Sequence, residues 1–179
     1  LTKQLLTFSM GGAPVKKTIS ISKLLQDTAT FALRGSNVRC EFSISEDLWP
    51  VEVDPGQISQ VINNLVINTN QAMPDGGTAK IRAENTIISE GHGGLPLKAG
   101  KYIQISIEDY GVGIPEKHLQ NIFDPYYSTK EKGRGLGLAV TYSIIKKHDG
   151  HIDVKSQSGV GTTFYVYIPA SMEQPFEDK

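Results

Sequence analysis

Apolar residues follow two rhythms along the chain. Val38, Cys40, Phe42 and Ile44 alternate with polar neighbours, the period of a half-buried strand over residues 38–45, and a shorter extended piece follows at 49–53. Residues 18–22 also read as extended. Alternation returns at 79–87 and 102–108, on either side of a glycine-rich stretch, 91–100, that reads as a hairpin loop. A last strand pair spans 152–156 and 162–168 around the turn 158–161. Helical spacing fills three other segments. The first runs from Lys23 to about Arg34, with Ser22 as its cap and Gly35 as its end. The second opens at Asp54 with Pro55 in the first helical position and stops near Met73, before Pro74, Asp75, Gly76 and Gly77. The third covers 136–148 and ends on Lys146, Lys147 and His148, with Gly150 beyond, cations near the last carbonyls and a glycine after them. Leu1, Leu5, Leu6 and Phe8 suggest the last turns of an earlier helix, which Gly11, Gly12 and Pro14 end. Strands mostly adjacent, with three helices interspersed, predict the α+β class: a two-layer α/β sandwich whose mixed sheet of about five strands is covered on one face by helices.

Composition narrows the chemistry. A chain of 179 residues suits one compact domain with a short attached segment. Its 18 basic and 19 acidic residues exclude a polyanion-binding surface, so no nucleic acid is expected and any nucleotide must be held locally. A single cysteine, Cys40, forms no internal disulfide and points to a reducing compartment; it reads as a strand residue. No apolar run approaches the ~20 residues that span a bilayer. The chain therefore reads as a soluble, cytoplasmic piece, whose parent is free to be membrane-anchored.

Three constellations carry candidate chemistry. On the second helix, Ile58, Val61, Ile62, Leu65, Thr69 and Ala72 form an apolar face. Beside it Gln60, Asn64, Asn68 and Gln71 fall within an arc of roughly 80° at ~100° per residue. Amide oxygens ligate hard cations, and asparagine is costly in a helix interior without partners such as phosphate-bound Mg²⁺ and its waters. Taken alone, the stripe reads equally well as solvated polar surface. Next, Asp109-Tyr110-Gly111-Val112-Gly113-Ile114 places one carboxylate where a strand runs into a turn. Gly111 and Gly113 would let a ligand ring come close to the backbone, and Asp109 is suited to accept from an exocyclic amine such as that of adenine. Alone, this match reads first as a plain turn. Finally, residues 128–138 (STKEKGRGLGL) feed glycines into a helix N-terminus, where unpaired N–H groups and Lys130, Lys132 and Arg134 suit phosphate. Neither a P-loop nor a dinucleotide-fold spacing is present. A flexible linker is the alternative, and the helix that directly follows the glycines argues against it.

Together and in order, these segments resemble the boxes of the histidine kinase ATP-binding domain, a fold shared with DNA gyrase and the MutL repair proteins. QVINNLVINTNQAM (60–73) resembles the asparagine box, EDYGVGI (108–114) the first glycine box, IFDPYYSTK (122–130) the phenylalanine box and GRGLGLAV (133–140) the second glycine box. GVGTTF (159–164) is similar to the family's closing motif. The resemblance implies ATP and Mg²⁺ as cofactors, with Asn68 as metal ligand and Asn64 supporting it. It implies Asp109 as the holder of the adenine amino group, assisted by Thr162 directly or through water, with Gly111 and Gly113 bordering the base. Gly133, Gly135 and Gly137 would form a lid over the phosphates. Ala72, Ile114, Leu136 and Leu138 would complete the nucleotide site. Gln71 stands where some members carry a base, which moves the expected phosphate contacts to Lys130 and Arg134. The short lid resembles that of the nitrogen-regulator-type subgroup.

The resemblance also implies a division of the chain. Residues 1–16 resemble the end of a dimerisation and phosphoacceptor helix with its linker, 17–170 the catalytic domain, and 171–179 a tail. The acceptor histidine would lie upstream, His92, His118, His148 and His151 being expected at the surface. Partners implied are that upstream domain and a downstream response-regulator receiver domain, with a dimeric parent and a fragment free to be monomeric. The expected activity is transfer of the γ-phosphate to that histidine. A clamp-type ATPase of the same superfamily is the alternative, disfavoured because the position one turn before Asn68 is Asn64 rather than a glutamate base.

Overall fold

A computed structural model describes residues 12–125, 127 and 137–173. Its main sheet has five strands in the order β2-β4-β5-β7-β6. These are β2 (Val38–Ile44), β4 (Gly77–Ile88), β5 (Gly100–Asp109), β6 (His151–Gln157) and β7 (Gly161–Pro169). β2 runs parallel to β4 and every other pairing is antiparallel, so the sheet is mixed, as the element order predicts. The glycine-rich stretch does close the β4–β5 hairpin. The two short extended pieces stay out of this sheet. β1 (Lys17–Ile19) and β3 (Val51–Val53) pair with each other as a separate antiparallel ribbon, attached to the end of β7 through a bridge between Val51 and Ala170.

Alternation along the strands sends Ile81, Ile103, Ile105, Ile107, Phe164, Val166 and Ile168 into the core, all at 3 % exposure or less. Against that face lie α1 (Ile21–Ala32), α2 (Pro55–Ala72) and α4 (Gly137–Lys147); α3 (Glu116–Leu119) is a single turn. The sequence rhythm places α1 slightly late. It begins at Ile21, with Ser20 in the cap position and no side-chain cap bond, because Ile21, Leu25 and Ala29 recur every fourth residue and all three are fully buried. Gly35 (φ +74) follows its end, as expected. For α2 the expected start holds: Asp54 accepts the Gln57 N–H at 3.2 Å and Pro55 follows.

The end of α4 differs from expectation in detail. The left-handed residue there is Asp149 (φ 58), not Gly150. Gly150 is required for another reason, since a Cβ at that position would stand 2.2 Å from the Tyr167 carbonyl oxygen. Among the described residues no helix is long and apolar enough to cross a membrane. Cys40 is a β2 residue whose thiol burial pushes up to about 11, which keeps it protonated and unreactive.

Candidate functional site

The central helix α2 packs against both α1 and α4, and its C-terminal end reaches the turn after β5. Two ends of a site are built from this arrangement. At the first, the Ala72 carbonyl accepts the Val112 N–H at 3.0 Å, which joins the amide-bearing helix to the Asp109–Gly113 turn. Asp109 is buried, and its Oδ1 accepts two backbone N–H groups, from Gly111 at 3.0 Å and from Thr162 at 3.2 Å. Thr162 lies directly across from Asp109 in the β5–β7 register, and Ser156 directly across from Thr162 in the β6–β7 register. Asp109, Thr162 and Ser156 thus form one polar row closing the end of the core face.

The glycines of this turn serve a purpose that sequence reasoning assigned differently. A Cβ on Gly111 would lie 2.2 Å from the Ala72 carbonyl oxygen, and one on Gly113, at φ +69, would lie 2.1 Å from that of Gln157. What approaches these two glycines so closely is the protein's own backbone. Their place beside a bound base remains an expectation of the resemblance. Ile114 packs against the core and gives its N–H to Ser156 Oγ at 2.7 Å.

At the second end, Asn68 donates its Nδ2–H to the Asn64 carbonyl at 3.0 Å, which turns its Oδ1 the other way. Asn64 reaches across to α4, where its Nδ2 donates to the Gly137 carbonyl at 3.1 Å and lies 3.4 Å from Thr141 Oγ1. Thr141, fully buried, donates to the same carbonyl at 2.8 Å. Among the described residues a Cβ on Gly137 would meet only Asn64 Cγ, at 3.8 Å. Leu138 packs against the core. Lys130, Gly133, Arg134, Gly135 and Leu136 lie outside the described residues. From Ala72 back to Asn64, eight residues of helix set the two ends ~12 Å apart.

The amide stripe does not share one environment. Gln60 lines a groove of about 650 Å³ between α1 and α2 with Asp27, Thr28, Phe31, Gly56, Ser59 and Asn63. Asn64 faces α4 instead, because α2 is wedged between the two neighbouring helices. Thr69, expected on the apolar face, is indeed buried there, and its hydroxyl has no partner among the described residues.

His148 corrects an expectation outright. It is not at the surface but 3 % exposed, with Nδ1 on the Ile144 carbonyl at 2.8 Å and Nε2 accepting the Asp54 N–H at 3.1 Å. Burial is the main cause that pushes its pKa below the usual value, and with both nitrogens engaged it is no phosphoacceptor. His151 is half-buried and shifted down for the same first reason; half-buried His118 contacts the Tyr127 hydroxyl. The Asp54–His148 link and the Ser156 hydroxyl were missed in the sequence. The second had a signal: the 158–161 turn fixes the register that sets Ser156 against Thr162.

Comparison with known proteins follows the same outline. The profile of the histidine kinase-, DNA gyrase B- and HSP90-like ATPase family matches residues 53–172. Sensor kinase CckA of Brucella abortus (strain 2308) is 36 % identical over 99 % of this chain and 20 % of its own length. Sporulation kinase A of Bacillus subtilis (strain 168) is 36 % identical over 87 % of this chain and 24 % of its own. The chain thus spans about a fifth to a quarter of these two relatives. Among solved structures, the catalytic domain of histidine kinase ThkA superposes with a TM-score of 0.69 at 27 % identity, covering 87 % of this chain and 97 % of that one. Full-length ShkA in complex with AMPPNP gives a TM-score of 0.76 over 97 % of this chain and 36 % of that one; at 22 % identity that likeness is one of fold. The matched span holds α2 with its amides, the Asp109 turn and the β6–β7 pair, and the chain belongs to the histidine kinase-, DNA gyrase B- and HSP90-like ATPase family.

Proposed function

We propose that this chain is the Mg-ATP-binding catalytic domain of a two-component sensor histidine kinase, which hands the γ-phosphate to a histidine on an upstream dimerisation and phosphoacceptor domain. Asp109 and Thr162 hold the base end, Asn68 faces the metal, and Lys130, Arg134 and the glycines of 133–137 attend the phosphates. The parent is a dimer that passes its phosphate to a receiver domain, and the short glycine-rich sequence 128–136 supports the nitrogen-regulator-type subgroup. The polar groups suit the cofactor. Asn68, its N–H given to the Asn64 carbonyl, carries a neutral hard oxygen of the kind Mg²⁺ takes. When bound, Mg²⁺ supplies neutralisation of phosphate charge.

One observation carries the choice of transfer over hydrolysis. One turn before Asn68 stands Asn64, an amide that accepts no proton at neutral pH, with its N–H already given to Gly137. Water would attack without a general base, an assistance typically worth about 10²–10⁴-fold. A neutral imidazole on another domain needs no such help to be nucleophilic. Purified domain incubated with radiolabelled Mg-ATP is expected to bind nucleotide, to acquire no acid-labile phosphate itself and to label an added dimerisation domain. Steady hydrolysis at about 1 s⁻¹ or faster that disappears in Asn68→Ala would instead establish a clamp-type ATPase.

A further inference from the structure

Ser156 belongs to none of the sequence motifs that name site residues, yet its hydroxyl is surrounded on three sides. It accepts the Ile114 N–H at 2.7 Å, lies 3.0 Å from the Gly161 carbonyl oxygen and 2.7 Å from Thr162 Oγ1. A hydroxyl has one proton and two lone pairs, and a carbonyl only accepts. The Ser156 proton therefore goes to Gly161, one lone pair takes the Ile114 N–H, and the other takes the Thr162 proton. All three positions are filled. Thr162, 5 % exposed, then has no hydroxyl proton left to offer in any other direction, so at its place opposite Asp109 in the β5–β7 register its hydroxyl can only accept, as the Asp109 carboxylate does.

We infer that Ser156 is a positioning residue that sets base specificity: by taking the Thr162 proton it makes the Asp109–Thr162 pair all-acceptor, which selects a purine bearing an exocyclic 6-amino group over one bearing a 6-oxo group. The inference rests on the base-end assignment of the preceding section. An oxo group set against two acceptors finds no donor and leaves polar atoms unmatched in a buried site, whereas an amino group satisfies them. A threonine with a free proton would rotate and donate, serving either base.

The test measures dissociation constants of ADP and inosine diphosphate by calorimetry for the intact chain and its variants. The wild-type chain is expected to prefer ADP. Ser156→Ala, which releases the Thr162 proton, is expected to narrow that preference about tenfold, mainly by improving inosine diphosphate binding. Ser156→Thr, which keeps a hydroxyl, should retain the wild-type ratio, an outcome that a merely structural contribution of Ser156 does not predict. An unchanged ratio in folded Ser156→Ala overturns the inference while leaving the nucleotide site intact. A wild-type chain that binds neither nucleotide overturns the base-end assignment itself. Should Ser156→Ala not fold, NMR of the wild-type ADP complex decides: a slowly exchanging Thr162 hydroxyl proton with an Overhauser contact to the Ser156 β-protons supports the inference. A hydroxyl that exchanges rapidly, or that contacts the base instead, overturns it.

Discussion

The two ends of the site are held by different kinds of bond. At the Asp109 end, backbone is locked to backbone: the turn after β5 is pinned to α2 through Ala72 and Val112, to the β6–β7 turn through the Gly159 N–H on Val112, and Gly111 and Gly113 leave no room for a side chain. At the Asn64 end, a half-buried amide spans two helices, and among the described residues the glycine it holds has only Asn64 Cγ within 4 Å of a Cβ. Groups whose positions must not vary are fixed by main chain, at the cost of tolerance to substitution. Side-chain links allow adjustment, as the phosphate-end assignment proposed above would require. Stability and adaptability are thus divided along one helix.

The largest effect that would break this contrast concerns glycines. Gly113→Ala is expected to destabilise the fold by about 3 kcal/mol or more, from its left-handed backbone and the overlap with Gln157, whereas Gly137→Ala should be neutral or stabilising by up to about 1 kcal/mol. Urea denaturation of both variants checks it, and comparable losses would mean that the two ends are equally rigid. Next in size, Asp109→Asn should lower ADP affinity by about 1–3 kcal/mol, since an amide that turns its N–H towards the base loses the matching acceptor. Calorimetric titration of the folded variant sharpens the comparison; unchanged affinity removes Asp109 from the base end.

The smallest expected effect is one of pH, and it involves the far ends of α2 and α4. His148 is surrounded by Lys16, Asp54 and Asp149, and burial holds its folded-state pKa below 6.5; His151 is shifted the same way, chiefly by burial and next by Lys146. As pH falls below about 6.5 the unfolded chain takes up protons that the folded one resists, so stability declines there and is flat in this respect above. Asp54, held below the ordinary carboxylate range first by the Val15 N–H, adds its own loss only under about pH 4. Melting is expected a few degrees lower at mildly acidic than at neutral pH. His148→Gln, with an amide oxygen in place of Nε2, should flatten most of that slope.

Legibility in the sequence follows the same division. The strands, the helices and the Asp54 cap come from local periodicity and local chemistry; most stand close to where the rhythm places them, while α1 begins two residues early, at Ile21, and cuts short the extended piece expected at 18–22. The exclusion of β1 and β3 from the main sheet, the burial of His148 and the separation of Gln60 from Asn64 depend on how elements pack across tens of residues, which no local pattern encodes. Gly111 and Gly113 teach a finer point. Their need for a small side chain was legible; that the crowding comes from Ala72 and Gln157 was not, because a glycine in a sequence does not say what stands beside it.

Asp54 has a practical meaning for anyone joining this domain to another. Its two carboxylate oxygens receive Val15 and Gln57 while its own N–H goes to His148, and Gln57 also reaches the Gly12 carbonyl. The incoming chain, the start of the amide-bearing helix and the residue just past the end of α4 therefore meet at a single residue. A fusion seam placed between Val15 and the first strand would sever one arm of that junction and loosen the other two. Cut ahead of Gly12, and the graft keeps its hinge pin.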